Sequence, residues 1–178
     1  MKPSCVAVLA MSFGLLASPV FAQVPPPAMN KSVTISFTAT GTAKRPDGTT
    51  TLFNTSVTRT IYISSAGRLF MRHTASNAKL QATRGGDFDP AAQSAGKGGS
   101  FSFQGNKLVG VLPYDGGARQ ISATFDANFS SCTASVIEGN AGSGSFKRKA
   151  PNGKIYEISN ASATGVSCSI QSGNAFAQ

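Results

Sequence analysis

Tryptophan is absent from this chain of 178 residues, and histidine occurs only once. Carboxylates are also few, since seven Asp and Glu stand against 16 Lys and Arg, and the formal net charge is +9 at pH 7. This scarcity leaves few groups for general acid–base catalysis or for metal binding. The polar, glycine-rich composition also argues against a helical bundle, a collagen and a disordered acidic chain. Composition by itself names no activity.

Long apolar runs are missing too. The longest, residues 6–17, is interrupted by Ser12 and Gly14 and falls short of the roughly 20 residues that span a bilayer. It follows Lys2 and precedes small residues that end at Ala22, an arrangement typical of an export signal. We therefore predict a signal peptide over residues 1–22, cleaved after Ala22, no transmembrane segment, and a periplasmic or secreted protein.

The chain holds only three cysteines, and Cys5 falls inside the predicted signal. Cys132 and Cys168 remain, an even number that favours a disulfide in an oxidising compartment. A redox or zinc site is disfavoured because no CxxC motif occurs and His73 is the single histidine. Each cysteine stands two positions from a neighbouring apolar residue, so the two side chains are on the same face of a strand, a relation that we call shared parity. Both cysteines are therefore expected to point inward from strands.

The sequence does have apolar residues that recur at every second position. Val33, Ile35 and Phe37 alternate with hydroxyl residues, a pattern typical of a strand with one buried face, and similar short runs recur as far as Ile170. Turn signals rich in Gly, Asn and Pro separate these runs. We predict a Pro-rich disordered leader over residues 23–30 and a single all-β domain over residues 31–178. Its architecture is an antiparallel β-sandwich or a flattened up-and-down β-barrel of about eight to ten short strands.

Motifs of catalysis and cofactor binding are incomplete. Around Gly96 and Lys97 the residues required for a phosphate-binding loop are not in place, and the chain has no GxSxG motif. His73 shares the parity of core residues, and Asp87 and Asp89, within a predicted long loop over residues 85–99, would supply too few oxygens for a calcium site. We therefore predict no enzymatic activity, no cofactor, no catalytic residues and no metal.

The strongest local charge feature is a basic hairpin formed by Lys147, Arg148, Lys149 and Lys154. Such a cluster attracts polyanions, and we predict an anionic glycolipid or an acidic polysaccharide as its partner. Nucleic acid is disfavoured because the protein is expected to be exported and the basic run lacks interleaved aromatic residues. The alternative is a solvated hairpin whose lysines serve solubility and discourage edge pairing. Lys44 and Arg45, in another turn, would enlarge the patch if the fold brings the two turns together.

Three functional hypotheses follow. The first is an exported non-enzymatic β-domain that binds anionic envelope or extracellular polymers through the basic hairpin. The second is a β-barrel carrier of a small apolar ligand, because Phe101, Phe103, Phe125 and Phe129 could line an enclosed cavity. The third is a hydrolase whose site is assembled from distant residues and cannot be recognised from the sequence.

Overall fold

A computed structural model describes residues 23–77, 87–88, 100–149 and 153–176. Within these residues the chain forms strands and two short 3-10 turns, Pro26–Ala28 and Asn140–Gly142, without an α-helix. The strands are β1 (Lys31–Lys44), β2 (Thr50–Ile63), β3 (Leu69–Asn77), β4 (Asp87–Phe88), β5 (Ser100–Gln104), β6 (Lys107–Tyr114), β7 (Gly117–Phe125), β8 (Cys132–Glu138), β9 (Phe146–Lys149) and β10 (Ile155–Ser172). The predicted all-β class is confirmed.

Two antiparallel sheets contain these strands. The large sheet has the order β4-β3-β2-β1-β10-β9 and the small sheet has the order β5-β6-β7-β8. Strand β1 is central because it pairs along its length with both β2 and β10. Strands β1 and β2 have 14 residues each and β10 has 18, so they are longer than the predicted short strands. Two register shifts between β1 and β10 let this long ladder bend and continue.

The core lies between the two sheets, where the apolar halves of the alternating strands meet. Val33, Ile35 and Phe37 of β1 are buried, whereas the intervening hydroxyl residues face away from the core. The rings of Phe103, Phe125 and Phe129 fill part of this space, with the centroids of Phe125 and Phe129 4.8 Å apart. Removal of this apolar surface from water is the main stabilising contribution to the sandwich.

One buried ion pair lies beside the apolar core. Arg119 of β7 donates a hydrogen bond of 2.7 Å from Nε to Glu138 Oε1 at the end of β8, and both residues are buried. The Arg119 guanidinium also lies 5.2 Å from the centroid of the Phe37 ring. The charges compensate each other in a position where either one alone would be costly.

The predicted disulfide is confirmed. Cys132, the first residue of β8, is bonded to Cys168 in β10, and their Cα atoms are 5.6 Å apart. Both cysteines are partly buried and pack against the core, as their parity predicts. Because β8 belongs to the small sheet and β10 to the large one, this bond joins the two layers covalently.

The amino-terminal segment differs from the predicted disordered leader. Pro26–Ala28 forms a 3-10 turn in which Ala28 N–H donates to Pro25 O at 2.9 Å. Ala28 is fully buried and Val24 packs against the core. The three prolines fix this segment in a conformation that places two apolar side chains on the sandwich. The predicted signal, residues 1–22, lies outside the described residues.

Candidate functional site

Two basic turns that are far apart in the sequence meet at one end of the large sheet. The antiparallel pairing of β1 with β10 places Lys44 opposite Glu157, and the pairing of β10 with β9 places Glu157 opposite Lys147. The turn after β1 and the turn before β10 therefore project from the same end of the sheet. We call this region the basic end; its cations are Lys44, Arg45, Lys147, Arg148, Lys149 and Lys154.

Strand alternation divides the basic end between the two faces of the sheet. In β9, Phe146 is buried towards the core, so Lys147 and Lys149 point to the outer face, where both are exposed. Lys44 lies on the same outer face because it shares a cross-strand row with Glu157 and Lys147. Lys44 in β1 and the two lysines of β9 therefore lie on the same face, on either side of β10, and form one positive surface.

Carboxylates only partly compensate this charge. Lys44 Nζ lies 3.5 Å from Glu157 Oε2, but both side chains are more than half exposed, so the ion pair contributes little to stability. Asp115 reaches the same end from the small sheet, where its carbonyl oxygen accepts a hydrogen bond of 2.6 Å from Lys147 N–H. Together with Asp47, these acids number half the cations of the basic end, so a net positive charge remains.

A shallow cleft of about 330 Å³ lies between the two turns. It is lined by Arg45, Pro46, Asp47, Lys154 and Tyr156. The cleft combines two cations, one carboxylate and one aromatic ring within a small volume. Such a set can hold an anionic group against Arg45 and Lys154 while Asp47 accepts a hydrogen bond from a hydroxyl group.

Asp47 is held in its ionised form by its own turn. Thr49 donates two hydrogen bonds to Asp47 Oδ1, from the hydroxyl at 2.6 Å and from the backbone N–H at 2.9 Å. These two bonds, with smaller contributions from the charges of Arg45 and Lys154, hold the pKa of Asp47 below its ordinary value. The carboxyl, which is ionised at neutral pH even at its ordinary pKa of 3.8, therefore stays ionised further into the acid range.

The other residues considered for chemistry lie elsewhere. His73 is in β3, where its backbone position pairs with Arg59, and Asp87 is in β4, where its backbone position pairs with Arg72. Most of the predicted loop over residues 85–99, including Asp89, lies outside the described residues. In the described part of the chain, no group of three or more His, Cys, Asp and Glu side chains could hold a metal ion.

Four residues at this end were missed by the sequence analysis: Asp47 and Tyr156 in the cleft, and Leu52 and Ile155 on the outer face. Leu52 and Ile155 carry a signal that could have identified them, because each is a large apolar residue on the solvent-facing parity of its strand. Asp47 and Tyr156 carry no such signal, since only the pairing of β1 with β10 brings them together.

Comparison with protein-family models and with curated proteins finds no match to this chain. Among the residues that the structure describes, no helix is long and apolar enough to cross a membrane.

Proposed function

We propose that this protein is a non-enzymatic β-domain that binds anionic envelope or extracellular polymers through the basic end. Its partners would be anionic glycolipids or acidic polysaccharides. We further propose that it is exported and acts in the periplasm or outside the cell after removal of residues 1–22. The disulfide between Cys132 and Cys168 is compatible with such an oxidising compartment.

The observation that carries the proposal is the cross-strand row of Lys44, Glu157 and Lys147, which joins two basic turns into one surface. Strands β1 and β9 are two strand spacings apart, about 10 Å, which is close to the Debye length at moderate ionic strength. The potentials of the two turns therefore add at the surface. A polymer with regularly spaced negative charges can contact both turns at once and release several counterions.

The first experiment measures retention of the purified protein on immobilised lipopolysaccharide and on immobilised alginate over a salt series. The variant Lys147→Ser/Lys149→Ser removes two exposed outward charges without touching the buried side chains of β9. We expect it to bind roughly thirtyfold more weakly at low salt, because each of the two surface cations contributes about 1 kcal/mol near an anionic surface. Retention of the unaltered protein should fall steeply as salt rises.

The matched control is Arg68→Ser/Lys107→Ser, which removes the same charge from two positions outside the basic end. Arg68 lies in the turn between β2 and β3, and Lys107 begins β6. If the control and the hairpin variant lose retention equally, net charge alone explains binding and the basic end is not a site. If the unaltered protein is retained on neither matrix, the proposed function is wrong.

A further inference from the structure

Two large apolar side chains at the basic end are exposed to solvent. Leu52 of β2 is 72% exposed and Ile155 of β10 is 49% exposed. Both lie on the outer face, since Leu52 shares a cross-strand row with Thr42 and Ile155 alternates with the buried-face residue Tyr156. Neither residue therefore contributes to the core of the sandwich, and each exposes apolar surface to water in the free protein.

These apolar residues lie among the outward lysines. Ile155 is directly opposite Lys149, and Leu52 pairs with Thr42, which is two residues from Lys44 on the same face. Leu52 and Ile155 are separated by two strand spacings across the sheet and four residues along it, about 10 Å by about 13 Å. The face that they share thus presents two aliphatic groups and the ammonium groups of three lysines to the same side.

This arrangement fits a lipid surface better than a soluble polymer. A bilayer has an anionic headgroup layer above an apolar layer, so the lysines can contact phosphates while the aliphatic groups enter below them. Long lysine stems permit this, because the ammonium group stays at the headgroup level when the stem is buried. A hydrated acidic polysaccharide offers charge to the lysines but no apolar layer to Leu52 and Ile155.

We infer that the outer face of the basic end docks on an anionic lipid surface, with Leu52 and Ile155 inserted between the headgroups. This inference rests on the proposed function and names its partner as a membrane surface. Binding is peripheral, since the inserted groups are two side chains of a folded sheet. The electrostatic part of the affinity is expected to fall with salt, whereas the aliphatic part is expected to remain.

The test is co-sedimentation of the full protein with vesicles of phosphatidylcholine mixed with phosphatidylglycerol, beside retention on alginate. The variant Leu52→Thr/Ile155→Thr replaces each exposed aliphatic side chain with a β-branched polar residue that is compatible with a strand. We expect vesicle binding to weaken roughly tenfold, because two exposed aliphatic groups no longer enter the bilayer. Retention on alginate should be unchanged in this variant, and vesicles of phosphatidylcholine alone should bind weakly.

The matched control is Val111→Thr/Ile137→Thr, which removes two aliphatic groups of similar size that are 39% and 40% exposed on the small sheet. Vesicle binding by this control should equal that of the unaltered protein. The inference is overturned if Leu52→Thr/Ile155→Thr binds vesicles normally, or if the protein binds alginate but not vesicles. In the second case the proposed function stands with a polysaccharide partner, whereas an unaltered protein that binds neither vesicles, lipopolysaccharide nor alginate would overturn the two proposals together.

Discussion

At the residue scale, hydrogen bonds within a turn stabilise the ionised form of the Asp126 carboxyl group. Asp126 follows β7 and begins the turn that leads to Cys132. It accepts a hydrogen bond of 2.7 Å from Ser130 N–H at Oδ1 and another from the Ser130 hydroxyl at Oδ2. These bonds lower the pKa of Asp126 from 3.8 to about 2. The turn also holds Phe129 at a φ of 52° while its ring is buried against Phe125.

Replacement of Ser130 is expected to change the pKa of the Asp126 carboxyl group. Ser130→Ala removes the hydroxyl donor, so the pKa of Asp126 should rise from about 2 towards its ordinary value of 3.8. Because the folded-state pKa is depressed, the stabilising contribution is present above pH 3.8 and is lost as pH falls towards about 2. An NMR titration of the Asp126 carboxyl in both proteins measures the shift. An unchanged pKa in the variant would show that the hydroxyl does not hold the charge.

At the scale of elements, the disulfide joins the last strand to the small sheet. Strands β8 and β10 lie in different sheets, so no backbone ladder connects them. The bond links residues separated by 36 positions. Beyond it, the carboxyl end is held by Ser32, whose hydroxyl donates to Gly173 O at 2.8 Å and accepts from Ala175 N–H at 3.0 Å. These contacts fix the end of a strand that would otherwise fray.

We therefore predict that Cys132→Ser/Cys168→Ser lowers the free energy of unfolding by about 4 kcal/mol. Without the disulfide, the unfolded chain gains the conformational entropy that the closed loop between the two cysteines denies it. Chemical denaturation monitored by circular dichroism measures this change. The single variant Cys132→Ser serves as the control, because it removes the same bond and should lose a similar amount. A double variant as stable as the unaltered protein would mean that noncovalent contacts alone hold β8 against β10.

At the scale of the whole molecule, the basic end is assembled from segments that begin more than a hundred residues apart in the sequence. Strand β1 brings Lys44 and Arg45 to the same sheet end as the β9–β10 hairpin. The cleft between the turns takes its lining from both, with Arg45 on one side and Lys154 on the other. The two turns should therefore act as one electrostatic surface.

This arrangement predicts that Lys44→Ser/Arg45→Ser weakens retention on an anionic matrix about as much as Lys147→Ser/Lys149→Ser, roughly thirtyfold at low salt. Elution from immobilised lipopolysaccharide over a salt gradient measures both variants side by side. Their combination should elute at a lower salt concentration than either. If Lys44→Ser/Arg45→Ser elutes with the unaltered protein, the binding surface is confined to the β9–β10 hairpin.

Local patterns in the sequence were enough to predict the β-strands and the disulfide. Alternation of apolar and hydroxyl residues identified β1 because side chains on a strand point to opposite faces, and the parity of Cys132 and Cys168 indicated that both face inward. Local charge also identified the β9–β10 hairpin, since its cations are neighbours in the chain. The strand pattern, the cysteine parity and the hairpin charge each depend on residues within a few positions of one another, whereas the pairing of the two cysteines was expected from their even number.

The folded structure was needed to learn how those strands are divided between a sheet of six and a sheet of four, because pairing partners depend on contacts between distant segments. It also decided that the turn at Lys44 and Arg45 joins the hairpin, since this follows from the register of β1 with β10. The burial of Ala28 is a third case, in which a proline-rich segment docks on a core formed elsewhere. In all three, the deciding interactions are non-local, and a pattern of neighbouring residues does not encode them.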